Sequence, residues 1–87
     1  MSLVYDWGVM SEAKLQQVFV RALGISPDHR FEELRYRGLD AWDSVAHMQL
    51  VSELEEAFGI MLETNDVIDM SSYDKSKQIL TKYGVRF

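Results

Sequence analysis

The feature that most constrains the fold of this chain is an uninterrupted amphipathic run from Ser44 to Phe58. At about 100° per residue, one face of this run collects Met48, Leu50, Val51, Leu54 and Phe58. The opposite face collects Gln49, Ser52, Glu53 and Glu56. This period predicts an α-helix with one buried side, which Gly59 ends. Such a helix needs other elements to cover its apolar face.

A first helix is predicted from Ser11, a residue type that caps helix N-termini well. Met10 and Leu15 stand at the two positions of a hydrophobic staple across that cap. One stripe of the helix is predicted to be buried, namely Leu15, Val18, Phe19, Ala22 and Leu23. Gly24 supplies the stop.

Two more helices are predicted in the C-terminal third of the chain. Thr64 can cap a short helix through about Asp69, and a last helix starts at Ser71, which forms a capping-box pattern with Asp74. The short helix would place Val67, Ile68 and Met70 inward. The last helix would bury Tyr73, Ile79, Leu80 and Tyr83 and end at Gly84.

These segments predict an all-α fold, a four-helix bundle with a long first loop and a short third helix. Residues 1–10 are expected to be an irregular extension, and residues 11–87 one domain with a core that removes roughly two-thirds of the unfolded surface from water. The first loop, residues 25–43, has no helical period but keeps several large apolar side chains: Phe31, Leu34, Tyr36, Leu39 and Trp42. A loop of this length is usually packed down or functional.

Composition excludes several classes of protein. The chain has no cysteine, so neither disulfides nor thiolate zinc sites stabilise it, and its two histidines are too few for a metal site without carboxylates. No apolar run approaches the ~18 residues of a membrane span, and no signal-peptide pattern is present. We therefore expect a cytoplasmic protein with no bound metal and no membrane association.

The net charge of -5 is concentrated in the middle of the chain. Between Arg37 and Lys75 there are nine acidic residues and no Lys or Arg. One interpretation is a solvated acidic face, and the other is a surface that attracts basic partners. Either one disfavours nucleic acid as a partner, because the block repels phosphates.

Asp43 and Ser44 by themselves predict only a helix cap. The longer string Asp43-Ser44-Val45 through Leu54-Glu55-Glu56-Ala57-Phe58, however, resembles the acyl carrier protein family, and the resemblance spans about Ser11 to Tyr83. It implies that Ser44 carries a covalent 4'-phosphopantetheine arm donated by coenzyme A, with Asp43 as its motif partner. The arm would hold an acyl or aminoacyl group as a thioester, so the chain would be a carrier with no catalytic residue and not an enzyme.

The resemblance also implies partners. They are a phosphopantetheinyl transferase, an acyl-activating ligase or acyltransferase, and downstream acyl-using enzymes, all served by a monomer. The residues expected to contact them are Val45, Gln49, Glu53 and Glu56. Because His47 and Gln49 stand where fatty-acid-synthesis members usually have acidic residues, the chain looks like a free-standing carrier of a specialised pathway.

Two other functions are considered beside this interpretation. The amphipathic helices also suit an unmodified helical module that binds other proteins through the grooves between the helices. A small enzyme is disfavoured because no nucleophile-base pair is evident.

His47 is predicted to be a hydrogen-bonded core histidine, and Trp42 to pack the loop against the bundle. The methionines Met48, Met61 and Met70 are expected to pack in the core, or else to line a yielding space for apolar cargo.

Overall fold

The computed structural model describes residues 7–87, and the side chains of residues 10–87. Within that range it contains four α-helices: α1 (Trp7–Leu23), α2 (Ser44–Phe58), α3 (Thr64–Asp69) and α4 (Tyr73–Lys82). A 3-10 turn, Phe31–Glu33, interrupts the long first loop. The predicted all-α class, with its long first loop and short third helix, is confirmed. None of the helices in residues 7–87 has the length and apolar character to cross a membrane.

The start of α1 differs from the prediction. The helix begins at Trp7, so Ser11 lies inside it and does not cap it, and the staple between Met10 and Leu15 does not form across a helix end. The four residues before Ser11 include no proline, and serine is tolerated in a helix interior at a modest cost. Residues 1–6 lie outside the described residues, so the irregular start stays a prediction there.

The other helix ends agree closely with the sequence, with two corrections to the caps. Gly59 ends α2 in the left-handed conformation, with φ 64°. Glu63 rather than Thr64 is the N-cap of α3 and makes no side-chain cap bond. Ser72 rather than Ser71 caps α4, since its hydroxyl accepts a 2.9 Å hydrogen bond from the Lys75 amide. The carbonyl of Ser71 is used elsewhere, as an acceptor for the Tyr36 amide.

The core lies between α1, α2, α4 and the first loop. Phe19 of α1 is at its centre, with its ring edge-on to Trp42 at 5.4 Å and to Tyr73 at 5.1 Å between centroids. Around these rings lie the buried aliphatic residues Leu15, Val18, Leu23, Leu34, Leu50, Val51, Leu54, Leu62, Met70, Ile79 and Leu80. Edge-to-face pairs of this kind add about 0.5–1.5 kcal/mol each beyond the area that they bury.

The long loop is fixed to α4 by its backbone. The Tyr36 amide donates to the Ser71 carbonyl at 2.8 Å, and the Tyr73 amide donates to the Leu34 carbonyl at 3.1 Å. These two bonds form an isolated antiparallel bridge between Arg35 and Ser72. The loop is therefore fixed by backbone hydrogen bonds before the chain reaches Ser44 at the start of α2.

Three residues that the sequence placed inward are exposed. Met48, Met61 and Ile68 have 59%, 80% and 72% of their surface accessible, so neither core packing nor a cargo lining accounts for Met48 and Met61. Met48 lies at the border of the apolar arc of α2, and the bundle covers a narrower arc than the sequence pattern suggested.

The buried residue of α3 is a carboxylate, which explains why Ile68 faces outward. Asp66 is 5% exposed; its Oδ1 lies 2.5 Å from Lys82 Nζ, and its Oδ2 accepts a 2.6 Å bond from the Tyr83 hydroxyl. The hydrogen bond from Lys82, followed by that from Tyr83, lowers the pKa of Asp66 below its ordinary value. An ion pair therefore secures α3 to the end of α4.

Candidate functional site

Ser44 is the first residue of α2 and is exposed. The helix cap is formed by Asp43, whose Oδ1 accepts a 2.9 Å hydrogen bond from the Ala46 amide. Asp43 thereby satisfies one of the unpaired N–H groups at the start of the helix. Asp43, and not Ser44, therefore caps the helix. The Ser44 hydroxyl is left to contact other side chains, so helix capping does not explain why a serine stands at this position.

Two loop side chains meet the Ser44 hydroxyl. The Tyr36 hydroxyl lies 3.2 Å from Ser44 Oγ, and Arg37 Nη2 donates to the same oxygen at 3.4 Å. The guanidinium of Arg37 beside the phenol lowers the pKa of Tyr36, and the contact with Ser44 acts in the same direction. Sequence reasoning missed both residues, because an irregular loop separates them from the serine and no period relates their positions.

The backbone of Arg37 adopts an uncommon conformation. Its φ of 61° is left-handed, a region that bulky residues rarely occupy. The turn is closed by hydrogen bonds from the Arg37 amide to the Trp42 carbonyl at 3.0 Å and from the Gly38 amide to the Arg35 carbonyl at 2.8 Å. The left-handed residue reverses the chain, and the side chain of Arg37 reaches Ser44.

His47 joins the loop to α2 and α3. The indole Nε1 of the fully buried Trp42 donates to His47 Nδ1 at 2.9 Å, and His47 Nε2 lies 2.8 Å from the Val67 carbonyl. Since Nδ1 accepts, the ring proton belongs on Nε2, which then donates to Val67. The prediction that Trp42 packs the loop is confirmed. His47 is hydrogen-bonded as predicted, but its side chain is only partly buried.

Aromatic rings support the residues around the serine. The ring of Tyr36 lies 5.0 Å from His47 and 6.2 Å from Trp42 between centroids, and the guanidinium of Arg37 lies 5.6 Å from the centre of the Tyr36 ring. Cation–π geometry of this kind restrains the arginine without neutralising it. On the loop side of Ser44, the hydrogen-bond donors of Tyr36 and Arg37 are therefore held in place by packing against aromatic rings.

The residues predicted to contact partners divide into two groups. Val45, Gln49 and Glu56 are exposed along one side of α2, with Val45 80% accessible. Glu53 is only 18% accessible at its side chain, because its carboxylate binds Arg21 Nε of α1 at 3.0 Å and Gln49 Nε2 at 3.1 Å. Glu53 is therefore paired within the molecule and does not project freely from it.

Comparison with known proteins places this fold and site in a family. The chain is 37% identical over 68 residues to acyl carrier proteins of Streptococcus pyogenes, among them those of serotype M3 strain ATCC BAA-595 / MGAS315 and of serotype M1. The alignment covers 74% of this chain and 90% of each relative. No family model and no solved structure matches the chain. On the strength of these relatives, the chain belongs to the acyl carrier protein family, and that membership gives it a carrier role in general.

Proposed function

We propose that this protein holds an acyl or aminoacyl group as a thioester on a 4'-phosphopantetheine arm attached to Ser44 Oγ. The observation that carries the proposal is that Ser44 is exposed at the start of α2 while Asp43 makes the cap. The serine hydroxyl is therefore accessible to an enzyme without loss of the cap. Family membership gives this geometry its meaning, because a fold alone does not define a function.

Attachment is a phosphoryl transfer from coenzyme A. Ser44 Oγ forms a bond to the phosphorus that bears the pantetheine; the bond from that phosphorus to the bridging oxygen breaks, and adenosine 3',5'-bisphosphate leaves. The serine proton passes to a base on the transferase. The product is a phosphodiester at the N-terminus of a helix, a position that favours an anion by about 0.3–1 kcal/mol.

The arm supplies chemistry that the chain lacks. The sequence contains no cysteine, so the thiol that carries the acyl group comes from the arm. The protein itself makes and breaks no bond in this scheme. A phosphopantetheinyl transferase loads the arm, a ligase or acyltransferase charges it, and downstream enzymes use the acyl group.

Partners would approach the exposed side of α2. Val45, Gln49 and Glu56 are accessible there, whereas Glu53 would first have to leave Arg21. Exposed ion pairs contribute little individually, which suits rapid exchange between enzymes. A specialised pathway, a monomeric state and a cytoplasmic location remain predictions of the sequence.

The test is the mass of the intact protein after incubation with coenzyme A and a broad-specificity phosphopantetheinyl transferase. We expect the wild type to gain one phosphopantetheinyl group and Ser44→Ala to gain none, with an unchanged far-ultraviolet circular dichroism spectrum. Ser52→Ala removes another exposed serine of α2 and should load like the wild type. A wild-type chain that gains no mass would contradict the proposal and favour an unmodified interaction module, for which the exposed Val45 and Met48 are equally suited.

A further inference from the structure

We propose that Arg37 and Tyr36 form a seat for the phosphodiester of the loaded arm, holding its first link against the first loop. This inference rests on the proposed function, since it requires an arm on Ser44. The two residues are positioning residues: they hold the attached group and take no part in bond making. The observation that carries it is the contact of both side chains with the oxygen to which the arm would be joined.

The distances suit a phosphate better than a hydroxyl. Arg37 Nη2 lies 3.4 Å from Ser44 Oγ, which is long for a hydrogen bond, and the Tyr36 hydroxyl lies 3.2 Å away. The non-bridging oxygens of a phosphodiester lie two bonds beyond Oγ, so they would offer these donors charged acceptors in place of the single hydroxyl oxygen. A guanidinium presents a planar fork of donors that matches phosphate oxygens.

The donors are held in place before any arm is present. The left-handed turn at Arg37 is closed by its own amide bond to Trp42, and its guanidinium rests over the ring of Tyr36. Tyr36 is supported in turn by His47. A bulky residue in a left-handed conformation persists only where its surroundings determine it, and such residues concentrate at functional sites. The seat is preorganised, so holding the phosphate requires little rearrangement.

The charges around Ser44 give this arginine a specific task. Asp43 adjoins the serine, and the acidic stretch of the sequence begins just after Arg37. A phosphodiester on Ser44 would be repelled by the neighbouring carboxylate, and the guanidinium of Arg37 offsets that repulsion where the anion sits. The arm would then leave the protein from the loop side of the serine, so the exposed side of α2 stays free for partners.

Phosphorus NMR of the loaded protein tests the seat. We expect the 31P resonance of the wild-type holo form to differ from that of the same protein unfolded in urea, and to move toward the unfolded position as salt screens the ion pair. Arg37→Gln should lose most of that difference and its salt dependence. Tyr36→Phe should lose a smaller part. Arg35→Gln, which removes an exposed positive charge two positions away, should keep the wild-type resonance.

A second variant guards against a change of fold. Asparagine adopts left-handed backbone readily, so Arg37→Asn removes the guanidinium while keeping the turn; it should shift the resonance as Arg37→Gln does, with an unchanged circular dichroism spectrum. The inference is overturned if the protein gains the mass of the arm but its 31P resonance is the same folded and unfolded, or if the Arg35 and Arg37 variants behave alike. A wild-type chain that gains no mass refutes the proposed function itself.

Discussion

The two sides of Ser44 differ in how firmly their side chains are held. On the loop side, Trp42, His47 and the Val67 carbonyl are joined by hydrogen bonds of 2.8–2.9 Å, and Tyr36 packs on the same rings. On the outer side of α2 and α3, apolar side chains face solvent, with Val45 80% and Ile68 72% accessible. Within the described residues, every buried side-chain nitrogen or oxygen atom has a hydrogen-bond partner. No polar group is therefore left unsatisfied in the packed part of this range.

This difference separates two requirements of a carrier. If an arm is attached at Ser44 as proposed, it needs a fixed point of attachment, which the hydrogen-bonded and aromatic loop side would provide. A surface that serves several enzymes in turn would need exposed apolar area without a fixed partner, which Val45, Met48 and Ile68 provide. The flexible side chain of Met48 can also adapt its shape. We therefore expect changes on the loop side to affect stability and changes on the outer side to affect recognition.

The largest expected effect is that of Trp42→Ala. The indole is fully buried and contacts Phe19, Tyr36 and His47, so its removal leaves a cavity and an unpaired ring nitrogen. Buried tryptophan-to-alanine changes cost about 3–5 kcal/mol. Urea denaturation followed by circular dichroism measures the loss. A cost near that of a surface substitution would show that the loop is not held by this ring.

His47→Leu should have the next largest effect. It leaves the Trp42 indole N–H and the Val67 carbonyl without their partner, and an unsatisfied buried group costs about 1–3 kcal/mol. His29→Leu is the matched control, because the ring of His29 bonds the carbonyl of the next residue, at 3.3 Å, and its loss should change the unfolding free energy by less than about 0.5 kcal/mol. Equal losses in the two variants would mean that the bridge from loop to α3 contributes nothing.

The dependence of the unfolding free energy on acid pH tests whether the bonds of Asp66 to Lys82 and Tyr83 hold α3 in place. Because the pKa of Asp66 in the folded protein is below its ordinary value of 3.8, the ionised carboxylate stabilises the fold above that pH. This contribution is lost as the pH falls through the lower, folded-state pKa. We expect the difference in unfolding free energy between the wild type and Asp66→Asn to be constant above pH 3.8 and to shrink below it.

The control for this prediction lies in the same helix. Asp69 is exposed, so Asp69→Asn should show the wild-type pH dependence. A difference between the wild type and Asp66→Asn that does not change with pH would show that the ionised form of Asp66 is not what Lys82 and Tyr83 stabilise. In that case α3 would be held by the packing of Val67 and Met70 together with the hydrogen bond between His47 and the Val67 carbonyl.

The sequence predicted where the helices lie better than which of their side chains are buried. The period of residues 44–58 and the glycine after them determined α2 to the residue, because both signals are local. The arc of α2 that is covered depends instead on where α1 and α4 lie, which the period does not contain, and Met48 at its edge was misplaced. In and after α3, Val67 and Met70 pack inward as predicted, but the carboxylate of Asp66 is buried as well and Ile68 faces solvent.

At the candidate site, the sequence indicated the serine and its structural neighbours but not its contacts. Ser44, Asp43, Trp42 and His47 were identified because a motif and a helical period include them. The meeting of Arg37 with Ser44 depends on one left-handed residue in an irregular loop, with φ 61°. Residue type gives no warning of this, since arginine rarely adopts that conformation. Glu53 was predicted to project freely because Arg21, its partner, lies in a different helix.

The smallest effect on stability is expected where the effect on recognition is greatest. Val45→Ser combined with Met48→Gln replaces two exposed apolar side chains three residues apart on one side of α2. Each substitution should change the unfolding free energy by less than about 0.5 kcal/mol. If partners bury these side chains, however, each contributes about 1.5–3 kcal/mol of binding. The double variant would therefore lose about 3 kcal/mol or more, and the kcat/KM of the transferase for the carrier should fall by about a hundredfold or more.

The measurement is steady-state loading with coenzyme A saturating and the carrier varied, beside urea denaturation of the unloaded protein. Gln78→Ala, an exposed substitution on α4, should change neither quantity. Normal loading with a large loss of stability would reverse the comparison, because the outer side would then be part of the packed structure. The variant keeps Tyr36, Arg37 and the serine itself, so the loop side of Ser44 is unchanged. Slow loading with unchanged stability would therefore show that the outer side serves recognition and the loop side serves stability.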